Sequence, residues 1–409
     1  MKSSEFKESS KAIKLSYVIV GASAAGVSTA KELRKRDEVA TITLISEENI
    51  IPYYRTRLSK SLSNPQRDRF FFLNPEEWYQ KNNIKLLLNT KVTKINREEK
   101  YITTNEYSTL HYDKLILATG SDSYIPPIDN ISLPGVFKLR DINDLDKIYK
   151  YIPQSKKVLV IGGGILGIEN AFELLKLNLE VSIFENQSHI LHRMVGHRGS
   201  EIIEAQLQAF GINTIIGEQI DTIIGTRSVE GIKLKNGKII PFDMIIVSAG
   251  IKPNIELAKN SSLKTNRGII VNNSLQTSDE NIYAVGDVAE YNNIINGTWT
   301  KATKQGVIAA SNICGDSKNY VDKSSSISLI TKELFIFSIG VIDENAVNVT
   351  EIYSYEKPTS HCYVKLYFNE STLIGAILIN KKAKMTTVLQ NFEKTILDKE
   401  LLINSIMRD

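Results

Sequence analysis

Apolar residues fall in tight runs, separated by stretches with helical spacing, through most of this chain. Leu15–Val20 reads as a buried strand, Ala25–Lys35 as a helix and Thr41–Ile45 as a second, parallel strand, which together make a βαβ unit. The pattern recurs from Lys157, with a strand ending at Ile161, a helix, and a strand over Glu180–Phe184. Between the two units, Val92–Ile95, Tyr101–Thr103 and Lys114–Ala118 look like a small antiparallel meander returning to a buried strand. Pro126-Pro127 and Pro134-Gly135 then break the chain and mark a domain boundary. Met244–Ser248 and Asn281–Asp287 read as further strands, the latter ending in an acid, and Thr303–Ile313 as a helix. From about Tyr320 the texture changes to alternating strands, with a hairpin at Asn369-Glu370-Ser371 and a closing amphipathic helix over Met385–Leu397.

Both βαβ units carry a glycine-rich turn where the first strand meets the helix, about 140 residues apart. The first is Gly21-Ala22-Ser23-Ala24-Ala25-Gly26, and the second is Gly162-Gly163-Gly164-Ile165-Leu166-Gly167. Small residues let the backbone approach a pyrophosphate, and the free N–H groups at the positive helix end hold it. Each turn is followed by an acid at the distance where a ribose hydroxyl would be met. Glu47-Glu48 comes about 21 residues after Gly26, and Glu185 about 18 after Gly167. Two such sites in one chain imply two nucleotides and electron flow between them. Glu185, followed by Asn186-Gln187 with no arginine, favours NADH over NADPH. His189, His192 and Arg193 lie close enough in sequence to admit a phosphate there.

Composition narrows the class. At 409 residues, 42% hydrophobic and 23% charged, the chain supports two or three domains with real cores. A net charge of +4 without a Lys/Arg block interleaved with aromatics points away from nucleic acid and leaves room for an acidic protein partner. Met1–Lys14 is Ser/Lys/Glu-rich without an apolar core, which predicts a frayed tail rather than a signal peptide. No apolar run reaches the ~18 residues of a membrane span. Two isolated cysteines, Cys314 and Cys362, suggest a reduced, cytoplasmic setting with no disulfide framework or cysteine-ligated metal. His189, His192 and His197 are close, but no carboxylate or cysteine completes a metal site, so no metal is expected.

Six motifs in register carry a family resemblance. They are the first glycine turn, Tyr54-Arg55 with Leu58-Ser59-Lys60, Ala118-Thr119-Gly120, the second turn running into Gly167-Ile168-Glu169, Gly250 with Pro253-Asn254, and Tyr283-Ala284-Val285-Gly286-Asp287. From about Leu15 to the C-terminal region, the chain resembles the FAD-dependent pyridine-nucleotide reductases related to glutathione reductase. Within them it is most similar to the NADH:rubredoxin and ferredoxin reductase branch.

The resemblance implies an α/β fold of two Rossmann-like domains plus a small α+β domain. FAD binding would fall to 15–126 with 250–315, NAD binding to 127–249, and the last domain to 316–409. The first turn (Gly21, Ser23, Ala24, Ala25, Gly26) would hold the FAD pyrophosphate and Glu48 the adenosine ribose, with Glu47 as the adjacent candidate. Arg55 and Lys60 would lie near the flavin, Thr119 and Gly120 along the FAD site, and Asp287 on the ribityl chain after Gly286. Gln305 would fall at the flavin pyrimidine end, and Gly250 belongs to the same set. The second turn (Gly162, Gly164, Ile165, Leu166, Gly167) would hold NADH, with Glu185 on the ribose. Glu169 would lie by the nicotinamide and pair with Lys60, making these two the catalytic candidates. Ser23 departs from the usual glycine and is expected to be tolerated.

Disulfide reductases of this kind carry a cysteine pair where this chain reads Arg57-Leu58-Ser59-Lys60-Ser61-Leu62, so no thiol relay is available. The expected function is an NADH-dependent FAD reductase passing electrons to a small acidic iron carrier such as rubredoxin, as monomer or homodimer. Alternatives are an NADH oxidase using oxygen, a nitrite-reductase-like flavoprotein, and a flavoprotein whose reduction changes partner binding.

Overall fold

The computed structural model describes residues 14–64, 67–322 and 326–408. The frayed tail expected before Leu15 falls almost wholly outside them. The described residues form two compact units, one within 14–56, 67–122 and 251–321, the other within 57–64, 123–250, 322 and 326–408.

In the first unit, five parallel strands run in the order Ile282–Ala284, Lys114–Leu117, Ser16–Val20, Thr41–Ile45 and Ile84–Leu87. Ser16–Val20 is central because Tyr17, Val18, Ile19 and Val20 are all buried, so both faces of the sheet are covered. The helix Ala24–Arg36 turns Ala25, Val27, Ala30 and Leu33 into the core. Gly306 lets the helix Trp299–Ile313 approach it, since a Cβ there would meet the Ala25 carbonyl oxygen at 2.5 Å.

The second unit repeats the design. Asn213–Ile216, Glu180–Glu185, Lys157–Ile161, Met244–Val247 and Val136–Lys138 form a parallel sheet with the glycine-turn strand again in the middle. The same unit holds an antiparallel five-stranded sheet in the order Ile327–Ile330, Phe335–Gly340, Thr372–Ile379, Cys362–Asn369, Glu351–Lys357. Alternate residues Val364, Leu366 and Phe368 face one core with Leu402, Ile403 and Ile406 of the last helix. The architecture is the expected α/β one, with two Rossmann-like sheets and a smaller α+β region. Among the described residues no helix is long and apolar enough to cross a membrane.

Most sequence-derived boundaries match within a residue, and three differ. The helix expected at Thr303 starts at Trp299, because Thr298 in extended geometry precedes a first turn with little apolar pattern. The helix expected over Met385–Leu397 ends at Asn391, where Phe392 is extended and Glu393 takes φ 58°, and a further helix, Lys399–Met407, follows beyond the expected range. Asn281–Asp287 is strand only over Ile282–Ala284, after which Gly286–Val288 forms a 3₁₀ turn.

Candidate functional site

The two glycine turns are built alike. Gly21 and Gly162 take φ of 109° and 120°, where a side chain is strained, and a Cβ would meet the carbonyl oxygen of Ala118 at 2.0 Å or of Ser248 at 2.4 Å. The last glycine of each turn, Gly26 or Gly167, would strike the oxygen of Gly21 or Gly162 at 1.9 Å. The middle position is different. At Gly164 an added Cβ meets nothing within 4 Å, which explains how the matching position in the first turn accepts Ser23. Helices start at Ala24 and at Ile165, and their first-turn N–H groups have no intrahelical acceptor. Both turns therefore fit a pyrophosphate.

Around the first turn the structure gathers Ser23, Glu48 and Arg55. Arg55 donates from Nε to Ser23 Oγ at 3.3 Å and pairs with Glu48 through its terminal nitrogen. Tyr53 adds a hydroxyl bond to Glu48 at 2.7 Å. Glu47 points elsewhere, to Lys91 Nζ at 2.8 Å, and both of those side chains are mostly exposed. Of the two adjacent acids, Glu48 is the one held at the turn.

Thr119 and Gly120 are tied to Asn254 by three hydrogen bonds. Thr119 Oγ1 donates to the Asn254 carbonyl, Asn254 Nδ2 donates to the Thr119 carbonyl, and Asn254 N–H donates to the Gly120 carbonyl. Asp287 accepts from Ser121 Oγ at 2.8 Å. Gln305 is 1% exposed; its Oε1 accepts the Gly286 N–H at 2.7 Å while its Nε2 is buried without an acceptor. A buried amide donor aimed at no protein atom suits a ligand oxygen, so this end of the unit also fits a bound nucleotide.

In the second unit Glu185 is nearly buried. Its carboxylate accepts the N–H of Gly163 and of Gln187, each at 2.9 Å, which anchors the acid against the second turn and leaves lone pairs for a ribose. Gly250 has φ 114° and its carbonyl accepts from Tyr124 N–H. His189 stands 6.3 Å from His192 and 5.6 Å from His197, ring to ring. Among the described residues no group of three or more His, Cys, Asp or Glu is placed to hold a metal.

Lys60 and Glu169 line one cavity of about 250 Å³ with Glu173, Lys176, Ile330, Thr331 and Lys332. The hydrogen bond to the Glu169 carboxylate comes from Ser59 Oγ at 2.9 Å, while Lys60 acts on it through its charge. Burial pushes the Glu169 carboxyl up; Ser59 and Lys60 oppose that, and Glu173 adds to it. Ser59 carried no role in the sequence reading, because nothing local connects it to an acid 110 positions away.

Two Rossmann-like sheets, each with a glycine turn at the end of its central strand, are the arrangement of a two-nucleotide oxidoreductase fold. The chain belongs to the pyridine nucleotide-disulphide oxidoreductase family, whose model matches residues 15–306; residues 328–396 match the rubredoxin NAD+ reductase C-terminal domain. It is 32% identical over 391 residues to the assimilatory nitrate reductase electron transfer subunit of Bacillus subtilis, covering 94% of this chain but spanning only 50% of that relative. It is 30% identical to the NADH-rubredoxin oxidoreductase of Clostridium acetobutylicum, covering 90% of this chain and 93% of that one. Among solved structures, a ferredoxin reductase from Rhodopseudomonas palustris superposes with a TM-score of 0.86 at 26% identity, covering 95% and 97% of the two chains.

Proposed function

We propose that this protein is an NADH-dependent FAD reductase that delivers electrons to a small acidic iron carrier such as rubredoxin. The observation that carries the reading is the pair of matched nucleotide turns combined with a cysteine-free Arg57–Leu62 segment. Electrons that enter from one nucleotide then have no thiol relay to follow.

FAD would be held by Gly21–Gly26 with Ser23 and Arg55 at its pyrophosphate, Glu48 at the adenosine ribose, and Asp287 and Gln305 toward the flavin, with Thr119 and Gly120 bracing the wall. Bound FAD supplies the conversion between a two-electron hydride and single electrons. NADH would be held by Gly162–Gly167, its ribose hydroxyl donating to Glu185, whose charge disfavours a 2′-phosphate. Lys60 and Glu169 would take the nicotinamide end. The net charge of +4 supports an acidic partner. The likeness to the Clostridium acetobutylicum protein over nearly the whole of both chains favours rubredoxin.

The likeness to the Bacillus subtilis subunit favours a second reading, in which the chain feeds a nitrate- or nitrite-reducing partner. Anaerobic rapid mixing with NADH, followed by oxidised rubredoxin, separates these. Fast flavin bleaching and rubredoxin reduction far faster than oxygen consumption is the expected result. Rapid reoxidation by oxygen alone would make the protein an oxidase, and bleaching with no transfer to rubredoxin would favour the second reading.

A further inference from the structure

The short helix Leu58–Ser61 and the residues just after it are joined to the helix Ile165–Leu175 by two hydroxyl–carboxylate contacts. Ser59 Oγ donates to Oε2 of Glu169 at 2.9 Å, and Ser63 Oγ donates to Glu173. Glu169 and Glu173 are one turn apart on the helix Ile165–Leu175, while Ser63 lies just beyond the end of the short helix that carries Ser59. Ser59 is 1% exposed, so water does not compete for its hydroxyl. The charged groups facing Glu169 are Lys60 and Glu173, with Lys176 and Lys332 on the same cavity. Lys176 is already engaged by the other oxygen of Glu173 at 2.6 Å.

Glu169 is half-buried, and a carboxylate on a flexible stem at a cavity wall needs a directional partner to hold one rotamer. A lysine on a four-carbon stem supplies charge without fixed direction, whereas a buried serine hydroxyl supplies one short, directed donor. We propose that Ser59 is the positioning residue of the nicotinamide site: its hydroxyl fixes the orientation of the Glu169 carboxylate, and the Ser63–Glu173 contact ties the chain just after the short helix to the same long helix. The inference deepens the function proposed above and rests on it for the role of Glu169.

The test uses the FAD-loaded protein. The Glu169 carboxyl is titrated by infrared difference spectroscopy, its band assigned with E169Q, and the pH dependence of KM for NADH is measured beside it. A hydrogen bond donated to a carboxylate favours its ionised form, so S59A is expected to raise the Glu169 midpoint by about one unit. The acid limb of the KM profile should move with it, giving an approximately tenfold higher KM on that limb, while kcat well above it changes little. S59T, which keeps the donor, should restore the wild-type midpoint. Should S59A fail to fold, S59C keeps the size with a weak donor and should shift the midpoint the same way by less.

Superimposable titrations for wild type and S59A, or for wild type and S59C, would overturn the inference. If the midpoint moves but NADH does not reduce the wild-type flavin, the function proposed above fails while the Ser59–Glu169 contact stands.

Discussion

Gln305 accepts the Gly286 N–H through Oε1 at 2.7 Å and buries its own amide nitrogen with no protein acceptor. One half of the side chain therefore shapes the turn before Asp287, and the other half is a donor prepared for something else. Replacing it with leucine would strand the Gly286 N–H, at a cost of about 1–3 kcal/mol. We expect Gln305→Leu to lower the unfolding temperature of the flavin-free protein and to lose part of the extra stabilisation that added FAD gives wild type. Thermal unfolding of both proteins over a series of FAD concentrations checks this. An equal FAD-dependent gain in the variant would show that the orphan donor does not meet the cofactor.

The Ser23–Arg55–Glu48 group makes unequal demands on its members. The guanidinium is the charged element beside the turn, so Arg55→Met should weaken FAD by roughly 1.5–3 kcal/mol, or about 10–150-fold in Kd. The 3.3 Å bond to Ser23 is long, and a Cβ at the matching Gly164 is tolerated, so Ser23→Gly should change FAD affinity by less than about threefold. Flavin fluorescence titration of the two apoproteins distinguishes them. A larger effect from serine than from arginine would reverse this ranking.

Glu185 serves both the turn and the nucleotide. Glu185→Gln keeps an acceptor for the Gly163 N–H but removes the charge. It should raise KM for NADH by about tenfold or less and narrow the preference over NADPH, since one lost charge-assisted bond is worth about 1.5 kcal/mol. The ratio of kcat/KM for the two nucleotides is the measurement. An unchanged ratio would place the discrimination elsewhere, with the nearby His189, His192 and Arg193 as the next candidates.

Glu169 gives the fold a pH dependence of known sign. Burial, its largest influence, raises the folded-state carboxyl above its unfolded value. The stability it contributes is then complete below the unfolded range, about pH 4.3, and is lost as the pH rises through the elevated folded value. Glu169→Gln carries no charge to bury, so its unfolding free energy relative to wild type should grow between pH 4 and pH 7.5. Urea unfolding of both proteins at these two pH values tests it. A difference that shrinks with pH would mean that Ser59 and Lys60 outweigh burial.

Much of the fold was legible because its signals are local. The runs Tyr17–Val20 and Val158–Ile161 are apolar enough to be central strands, and the glycines after them are demanded by carbonyl oxygens a few ångströms away. Where local signals conflict, pattern and structure part. The pattern over Met385–Leu397 is amphipathic throughout, yet the chain breaks at Phe392 and restarts where Asp398 caps the Leu401 N–H at 2.8 Å. Asp398 was the available sign of a second start. Trp299–Ala302 carry no helical signature in sequence, because threonine and lysine hide the first turn of a helix whose buried face begins late.

The sequence by itself determined the two nucleotide turns, the acids that follow them and the absence of cysteine from Arg57–Leu62. The last glycine of each turn is demanded by the carbonyl of the first, and the acids follow at a fixed spacing, so both are written locally; the missing cysteine is read directly from the residues. Only the tertiary structure decided that Arg55 and Tyr53 are what hold Glu48 while Glu47 turns to Lys91, that Gln305 keeps a buried free donor, and that Ser59 is the hydrogen-bond partner of Glu169. Those choices depend on side chains brought together from distant positions. Neither periodicity nor spacing encodes which of two adjacent acids, or which of two adjacent polar residues, will face the partner.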